Sequence, residues 1–245
     1  MLPVYGPPSV APGVFGDGFD LACVYADLLA AAGVERGLIG PREADRLWER
    51  HLLNSAVVEE VVGHAATVVD VGSGAGLPGI PLALARPDLR VTLLEPMQRR
   101  CVFLHEAVSG LGLEGRVTVV RGRAPDAAAT VEGHAFDVCV ARAIAPLGRL
   151  GAMLLPMVKP GGVMLALRGS RVVEELSVAR GELEAQGWRD MEVVKCGVGR
   201  VAEPATVLRA VHVVLQPGRR QGSGKTREAR RGREAQRARG HTRST

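Results

Sequence analysis

Apolar residues recur along this chain in two rhythms, and the change from one to the other divides it. Residues 1 to 18 carry much proline and glycine and no periodicity, so a flexible lead-in is expected over residues 1 to 19. From Asp20 to Ala32 the apolar positions Leu21, Val24, Leu28 and Leu29 share one face at helical spacing, and Gly33 ends the run. Pro41 opens a second helical stretch in which Leu47, Trp48, His51, Leu52, Ser55 and Val58 fall on neighbouring turns. These helices precede the first strand and are expected to cap the sheet.

From residue 66 the rhythm alternates between short continuous apolar runs and helical periods. Strands are expected near 67 to 71, 90 to 95, 117 to 121, 136 to 141 and 162 to 168. Helices are expected near 79 to 86, 98 to 111, 146 to 157 and 171 to 186. Such alternation predicts a Rossmann-like, mostly parallel α/β sheet covered on both faces. The ending breaks the pattern: residues 188 to 197 and 206 to 215 read as two strands with no helix between them, an antiparallel hairpin for one edge.

Composition changes this picture at one place. The chain is 47% hydrophobic and 23% charged, ordinary for a globular protein, with a formal net charge of +5. Ten of its basic residues fall within 217 to 245 against two glutamates, which leaves residues 20 to 216 as the folded domain and 217 to 245 as a basic, disordered tail. That tail reads either as an arm drawn to phosphate or as a solvated end. Only Lys159, Lys195 and Lys225 are lysines, so part of the arginine excess is attributable to codon usage. The N-terminus lacks the pattern of a secretory signal, no apolar stretch reaches membrane-span length, and Cys23, Cys101, Cys139 and Cys196 show no disulfide framework. A cytoplasmic protein with reduced thiols, monomeric and without a membrane or metal partner, is the expectation.

The chemistry concentrates in Val68-Val69-Asp70-Val71-Gly72-Ser73-Gly74-Ala75-Gly76-Leu77-Pro78-Gly79, a buried strand running into a glycine-rich turn and then a helix. A ligand sits over the carboxyl end of such a strand. Glu95 ends the next strand and is placed to accept hydrogen bonds from both hydroxyls of a ribose. A dinucleotide site wants G-x-G-x-x-G, but the third glycine would fall at Leu77. D-x-G-x-G-x-G suits S-adenosylmethionine, which has no phosphate to seat on the helix; Asp70 would order the loop or meet the ammonium group through water. A sharp glycine turn without a ligand is the plain alternative.

Other chemistries find fewer residues. After the fourth strand the chain reads Cys139-Val140-Ala141-Arg142-Ala143-Ile144-Ala145-Pro146, not the N-P-P-Y type of sequence that holds an exocyclic amine. No cysteine has the Pro-Cys or Thr-Cys setting of a pyrimidine-carbon methyltransferase, and Cys139 reads as core. His105-Glu106 begins like a zinc helix, but Ser109 stands where the second histidine belongs. Ser73 lacks the G-x-S-x-G elbow.

At Trp48-Glu49-Arg50-His51-Leu52-Leu53-Asn54-Ser55, at Asp70 through Leu82, and at Ala141-Arg142-Ala143, the chain resembles the small-subunit 16S ribosomal RNA methyltransferase G family, also called glucose-inhibited division protein B. The likeness covers roughly residues 20 to 216, and the run Gly76-Leu77-Pro78-Gly79-Ile80-Pro81-Leu82 is its most specific part. The resemblance implies a class I methyltransferase sheet and methylation of guanine N7 in 16S rRNA, free or within the 30S subunit, with S-adenosylmethionine as donor. It places cofactor contacts on Gly72, Leu77, Ala124, Pro125 and Arg142; Glu95 is added from the strand argument. Asn54, Pro125 and Arg168 stand where the family commonly has Asp, an acid and Lys, so contact at Ala124-Pro125 would be main-chain. N7 already carries a lone pair, so no proton-transfer residue is named. Arg50, His51 and Arg123, with Arg142 beside them, are the candidates for holding RNA; helix packing for His51 and a structural ion pair for Arg142 are the competing roles. A methyltransferase for a small molecule or protein, or a non-catalytic RNA-binding protein of this fold, would share much of this sequence pattern, and the eight aromatic residues are few for base stacking.

Overall fold

The computed structural model describes residues 6 to 126, 135 to 142 and 145 to 215. The basic tail expected over 217 to 245 lies outside the described residues, as do Ala143 and Ile144 of the motif after the fourth strand.

Seven strands form one sheet in the order β3-β2-β1-β4-β5-β7-β6. β1 (Thr67–Val71), β2 (Arg90–Glu95), β3 (Val117–Arg121), β4 (Phe136–Arg142) and β5 (Val158–Arg168) run parallel. β6 (Trp188–Cys196) and β7 (Ala205–His212) are the expected antiparallel hairpin, and β7 inserts between β5 and β6. The strand order reverses at β1, so the loop after β1 opens at the crevice where open α/β sheets bind ligands.

β1 forms because Val68, Val69 and Val71 are β-branched and buried, with one polar residue, Asp70, fully buried among them. α4 (Gly79–Ala85) follows the glycine loop, with Pro81 in its first turn where a missing N–H costs nothing. α5 (Gln98–Gly110) leads to β3, α6 (Leu147–Leu154) to β5, and α7 (Val172–Gln186) stops at Gly187, whose φ of 112° is the left-handed cap glycine provides. One core lies under the helices that carry Tyr25, Leu52, Ile80 and Phe103; a second lies on the other face, around Leu150, Leu183 and Trp188.

The amino-terminal reading needs one correction. The expected flexible lead-in contains a short helix, α1 (Ala11–Phe15), in which Ala11, Val14 and Phe15 are buried. Phe15 meets Trp48 edge-on at 6.3 Å between ring centroids, so three apolar side chains anchor what proline and glycine make look loose. α2 (Phe19–Leu28) continues in a wider turn over Leu29–Gly33, and a similar wide turn over Leu47–Leu53 leads into α3 (Asn54–Ala56). These pieces pack on α4 and on the glycine loop as the expected cap.

Candidate active site

The parallel register sets Val71 opposite Leu94, and the chain past β1 stays fastened to β2, because Gly72 N–H and Ser73 N–H both donate to the Leu94 carbonyl at 2.8 and 3.2 Å. The loop then coils tightly: Gly76 and Leu77 donate to Ser73 O, while Gly72, Gly74 and Gly76 take φ values of 75°, 60° and 95° that favour glycine. A Cβ on Gly76 would lie 2.5 Å from Ile80 Cδ1 and 2.9 Å from the Tyr25 hydroxyl. That hydroxyl, fully buried on α2, donates to Ala75 O at 2.6 Å, so the amino-terminal cap holds the loop from beneath.

Glu95 is 1% exposed, yet its carboxylate is at the wall of a crevice. Oε2 accepts from Gly74 N–H at 3.0 Å and Oε1 from Met97 N–H at 2.9 Å, with Arg100 3.7 Å away. Two backbone bonds fix its direction and leave lone pairs on both oxygens for further donors. The crevice measures about 490 Å³, within the roughly 300–1,000 Å³ usual for small-molecule sites. Gly72, Glu95, Arg123, Ala124 and Pro125 all line it, so four of the expected cofactor residues and one expected RNA residue meet at the ends of β1, β2 and β3. Leu94, Pro96, Met97 and Met153 give it apolar walls. Arg100, Arg149 and Met153 were not singled out from sequence; for Arg100, the one available signal was its place one turn into the helix after Glu95.

The donor implied by the fold fits this crevice on three counts. A carboxylate with spare lone pairs can take the two hydroxyls of a ribose, the apolar walls can take a purine, and the side-chain-free bend leaves backbone groups for the amino-acid part. Asp70 stands beneath. Its Oδ2 accepts from Gly79 N–H at 2.9 Å, fixing the start of α4, and its Oδ1 is buried with no partner among the described residues. Burial raises its carboxyl to about 7, only partly offset by the Gly79 bond.

Leu77 and Arg142 sit elsewhere. Leu77 is buried in the core beneath the loop. Arg142, at the end of β4, lines a second cavity with Arg50, Asn54 and Arg168. His51 links it to the cap: its Nδ1 is 3.0 Å from Arg142 Nη2 and its Nε2 is 3.1 Å from Glu43 Oε2. A guanidinium can only donate, so Nδ1 accepts and Nε2 carries the proton. Burial and the Arg142 charge lower His51 to about 4, in keeping with this neutral form. His51 thus joins the cap to Arg142, as the packing role expects, and in addition orients that guanidinium. Arg142 forms no ion pair among the described residues.

Among the described residues no cluster of His, Cys, Asp or Glu could hold a metal, no helix is long and apolar enough to cross a membrane, and the four cysteines are unpaired.

Comparison with known proteins places the chain. A likeness to solved structures shows the fold: the S-adenosylmethionine-dependent methyltransferase SibL superposes with a TM-score of 0.52 at 20% identity, covering 78% of this chain and 62% of that one. An S-adenosylmethionine-dependent O-methyltransferase from Thermotoga maritima gives 0.50 at 17%, over 66% and 65%. Sequence relatives are much nearer. Proteins named ribosomal RNA small subunit methyltransferase G are 66% identical in Frankia casuarinae, over 83% of this chain and 77% of the relative, and 58% identical in Frankia alni, over 98% and 100%. The relative from Rhodococcus jostii is 53% identical over 87% and 92%. The family model for rRNA small subunit methyltransferase G matches residues 20–202, and the chain belongs to that family.

Proposed function

We propose that this protein transfers a methyl group from S-adenosylmethionine to N7 of a guanine in 16S rRNA, within the cytoplasm and as a monomer. The observation that carries the reading is Glu95, a buried carboxylate fixed by two backbone N–H groups at the rim of a crevice closed on its other side by a glycine bend. Glu95 would take the ribose hydroxyls, Gly72 would let the donor's amino-acid end lie against the backbone, and Ala124 and Pro125 would border the purine through main-chain groups. Leu77 would act from below by shaping the bend, and Arg142 would act on the donor's carboxylate from the β4 side. Its charge is felt by both Asp70 and Tyr25, which border the loop.

When bound, the donor supplies an electrophilic methyl group on a sulfonium. The chain's own task is then alignment. N7 of a neutral guanine presents its lone pair without losing a proton, so no general base is required, and positioning together with exclusion of water accounts for catalysis. Arg50 and Arg123 line cavities on the same edge of the sheet, with His51 beside Arg142 there, and would hold the strand while the target base is turned toward the crevice.

Calorimetric titration with S-adenosylmethionine is expected to give micromolar affinity that Gly72→Val abolishes. Labelled methyl transfer to naked 16S rRNA, to the 30S subunit and to small molecules is expected to proceed only with RNA, and borohydride and aniline treatment should cleave the product at one guanine. Donor binding without RNA methylation, or a modified atom other than N7, overturns the assignment.

A further inference from the structure

The second cavity has a chemistry the donor does not explain. It measures about 470 Å³ and opens at the carboxyl ends of β4 and β5, on the same sheet edge as the crevice. Arg50 reaches it from the Leu47–Leu53 turn, Arg142 from the end of β4 and Arg168 from the end of β5. Arg50 pairs with Glu43 at 3.2 Å and Arg168 Nη2 donates to the Ala145 carbonyl, but the two inner guanidinium groups keep open N–H positions although Glu175 is also in the wall. The Arg168 side chain is 9% exposed, its nearest acid oxygen belongs to Glu175 at 4.0 Å, and its Nε is buried without a partner among the described residues. Arg142 Nη1 is buried and unpartnered in the same way. Glu203, also in the wall, already pairs with Arg46.

Burying a guanidinium with open N–H groups is costly unless something accepts from them. Burial lowers both Arg142 and Arg168 from the usual arginine value, and Arg50 adds repulsion at Arg142. An oxyanion with several acceptor oxygens relieves Arg168, which the donor does not reach in the proposed reading, and shares Arg142 with the donor's carboxylate; planar N–H forks converging from separate elements match a phosphate. Asn54 and Thr206 add neutral polar groups to the wall.

We infer that this cavity is a phosphate subsite, in which Arg50 and Arg168, with Arg142 between them and the glycine loop, hold a phosphodiester of the RNA strand next to the target nucleotide. The inference rests on the proposed RNA substrate, which it deepens by naming where the backbone is gripped. A phosphate seated beside β4 and β5 would leave the base free to turn toward β1, where the methyl group is offered.

The test is the salt dependence of 16S rRNA binding by the full chain. Arg168→Gln is expected to weaken binding about tenfold and to reduce the slope of log K against log salt by about 0.7–0.9, the signature of one lost phosphate contact. Arg50→Gln, at a side chain 48% exposed that gives up its pair with Glu43, should do the same to a smaller extent, with urea unfolding expected to show the fold kept. Arg168→Lys should keep the slope while losing part of the affinity. Inorganic phosphate should displace RNA from the wild type more than chloride of equal ionic strength, and lose that advantage with Arg168→Gln. S-adenosylmethionine affinity should stay within about twofold throughout, the expected result for a site that grips RNA alone. An unchanged slope in both glutamine variants overturns the inference, as does a parallel fall in donor affinity, which would give the cavity to the donor. Inorganic phosphate bound as tightly as RNA would also overturn it, making the occupant a free anion. Failure of the wild type to bind S-adenosylmethionine strikes the proposed function instead, and leaves the salt slopes to decide this point.

Discussion

The two edges of the sheet handle charge in opposite ways. At the amino edge, Asp137 accepts from Thr67 N–H at 2.8 Å, Thr67 Oγ1 at 2.6 Å and Lys159 Nζ at 2.9 Å, lashing β1, β4 and β5 together where they begin. Burial would raise its carboxyl, but these donors hold it at about 2. Nearby, Arg86 donates through Nε and Nη2 to both oxygens of Asp88 and through Nη1 and Nη2 to the carbonyls of Val62 and Gly63. The carboxyl edge holds instead Asp70 at about 7 and, among the described residues, unpartnered nitrogens on Arg100, Arg142 and Arg168; the groups left without partners near the start of β6, Gln186 Oε1 and Trp188 Nε1, are uncharged. Satisfied networks stabilise the fold, whereas charged groups buried with open positions at a crevice are the ones a ligand can complete. The same sheet is thus built for stability at one end and for binding at the other.

Four substitutions probe that contrast. Glu95→Ala removes the charged acceptor at the binding edge, and donor affinity should fall at least about 100-fold, or about 3 kcal/mol, in calorimetric titration. A loss under about threefold would mean that the carboxylate serves only the loop. Asp70→Asn comes next. Between the ordinary carboxylate value and about pH 7 the folded chain keeps the Asp70 proton that the unfolded chain releases, so stability falls as pH rises across that window. The amide can still accept from Gly79 N–H, and urea unfolding at pH 8 should show the variant more stable by on the order of 2 kcal/mol, with the difference gone near pH 4. A variant less stable at pH 8 would show that the charge is compensated in place.

Asp137→Ala tests the other edge. It should cost about 1–2 kcal/mol at pH 7, less than three isolated bonds would suggest because the group is part-exposed and screened. Its depressed carboxyl contributes stability above the ordinary carboxylate value that is lost as pH falls toward 2, so the variant's unfolding should respond less to acid; donor affinity should not move. Coupled losses of stability and donor affinity would erase the division between the edges. Tyr25→Phe should have the smallest effect, about 1 kcal/mol of stability and a few-fold in donor affinity, because one buried hydroxyl supports the loop through Ala75 O. An unchanged donor affinity would confine Tyr25 to packing.

Much of this was legible in the sequence because short-range physics settles it. β1, β2 and β3 begin and end where their apolar runs do, and Glu95 falls at the crevice because parallel register fixes the end of β2 against Gly72. β5 begins earlier than the expected 162: the strand runs from Val158 through Pro160 and two glycines, which weaken its apolar signal, and pairs with β4 across a bulge. α1 was hidden by its prolines and glycines, since its stability comes from Trp48 and not from its own periodicity. The arginine cavity was legible only in part: Arg50 and Arg142 were RNA candidates, but nothing joined Arg168 to them. Residues 50, 142 and 168 meet only after three separate elements are packed, and their missing partners are a property of burial that no spacing encodes.

The position of β7 between β5 and β6 governs how the chain is completed during synthesis. β6 leaves the ribosome before β7, its neighbour among the described residues, exists, and the outer edge of β5 also waits for residues 205 to 212. Until those residues emerge, two strand edges stand bare and ready to pair with other nascent chains. A stop codon shortly before residue 205 would therefore yield an aggregate, whatever remained of the crevice at the opposite side of the sheet.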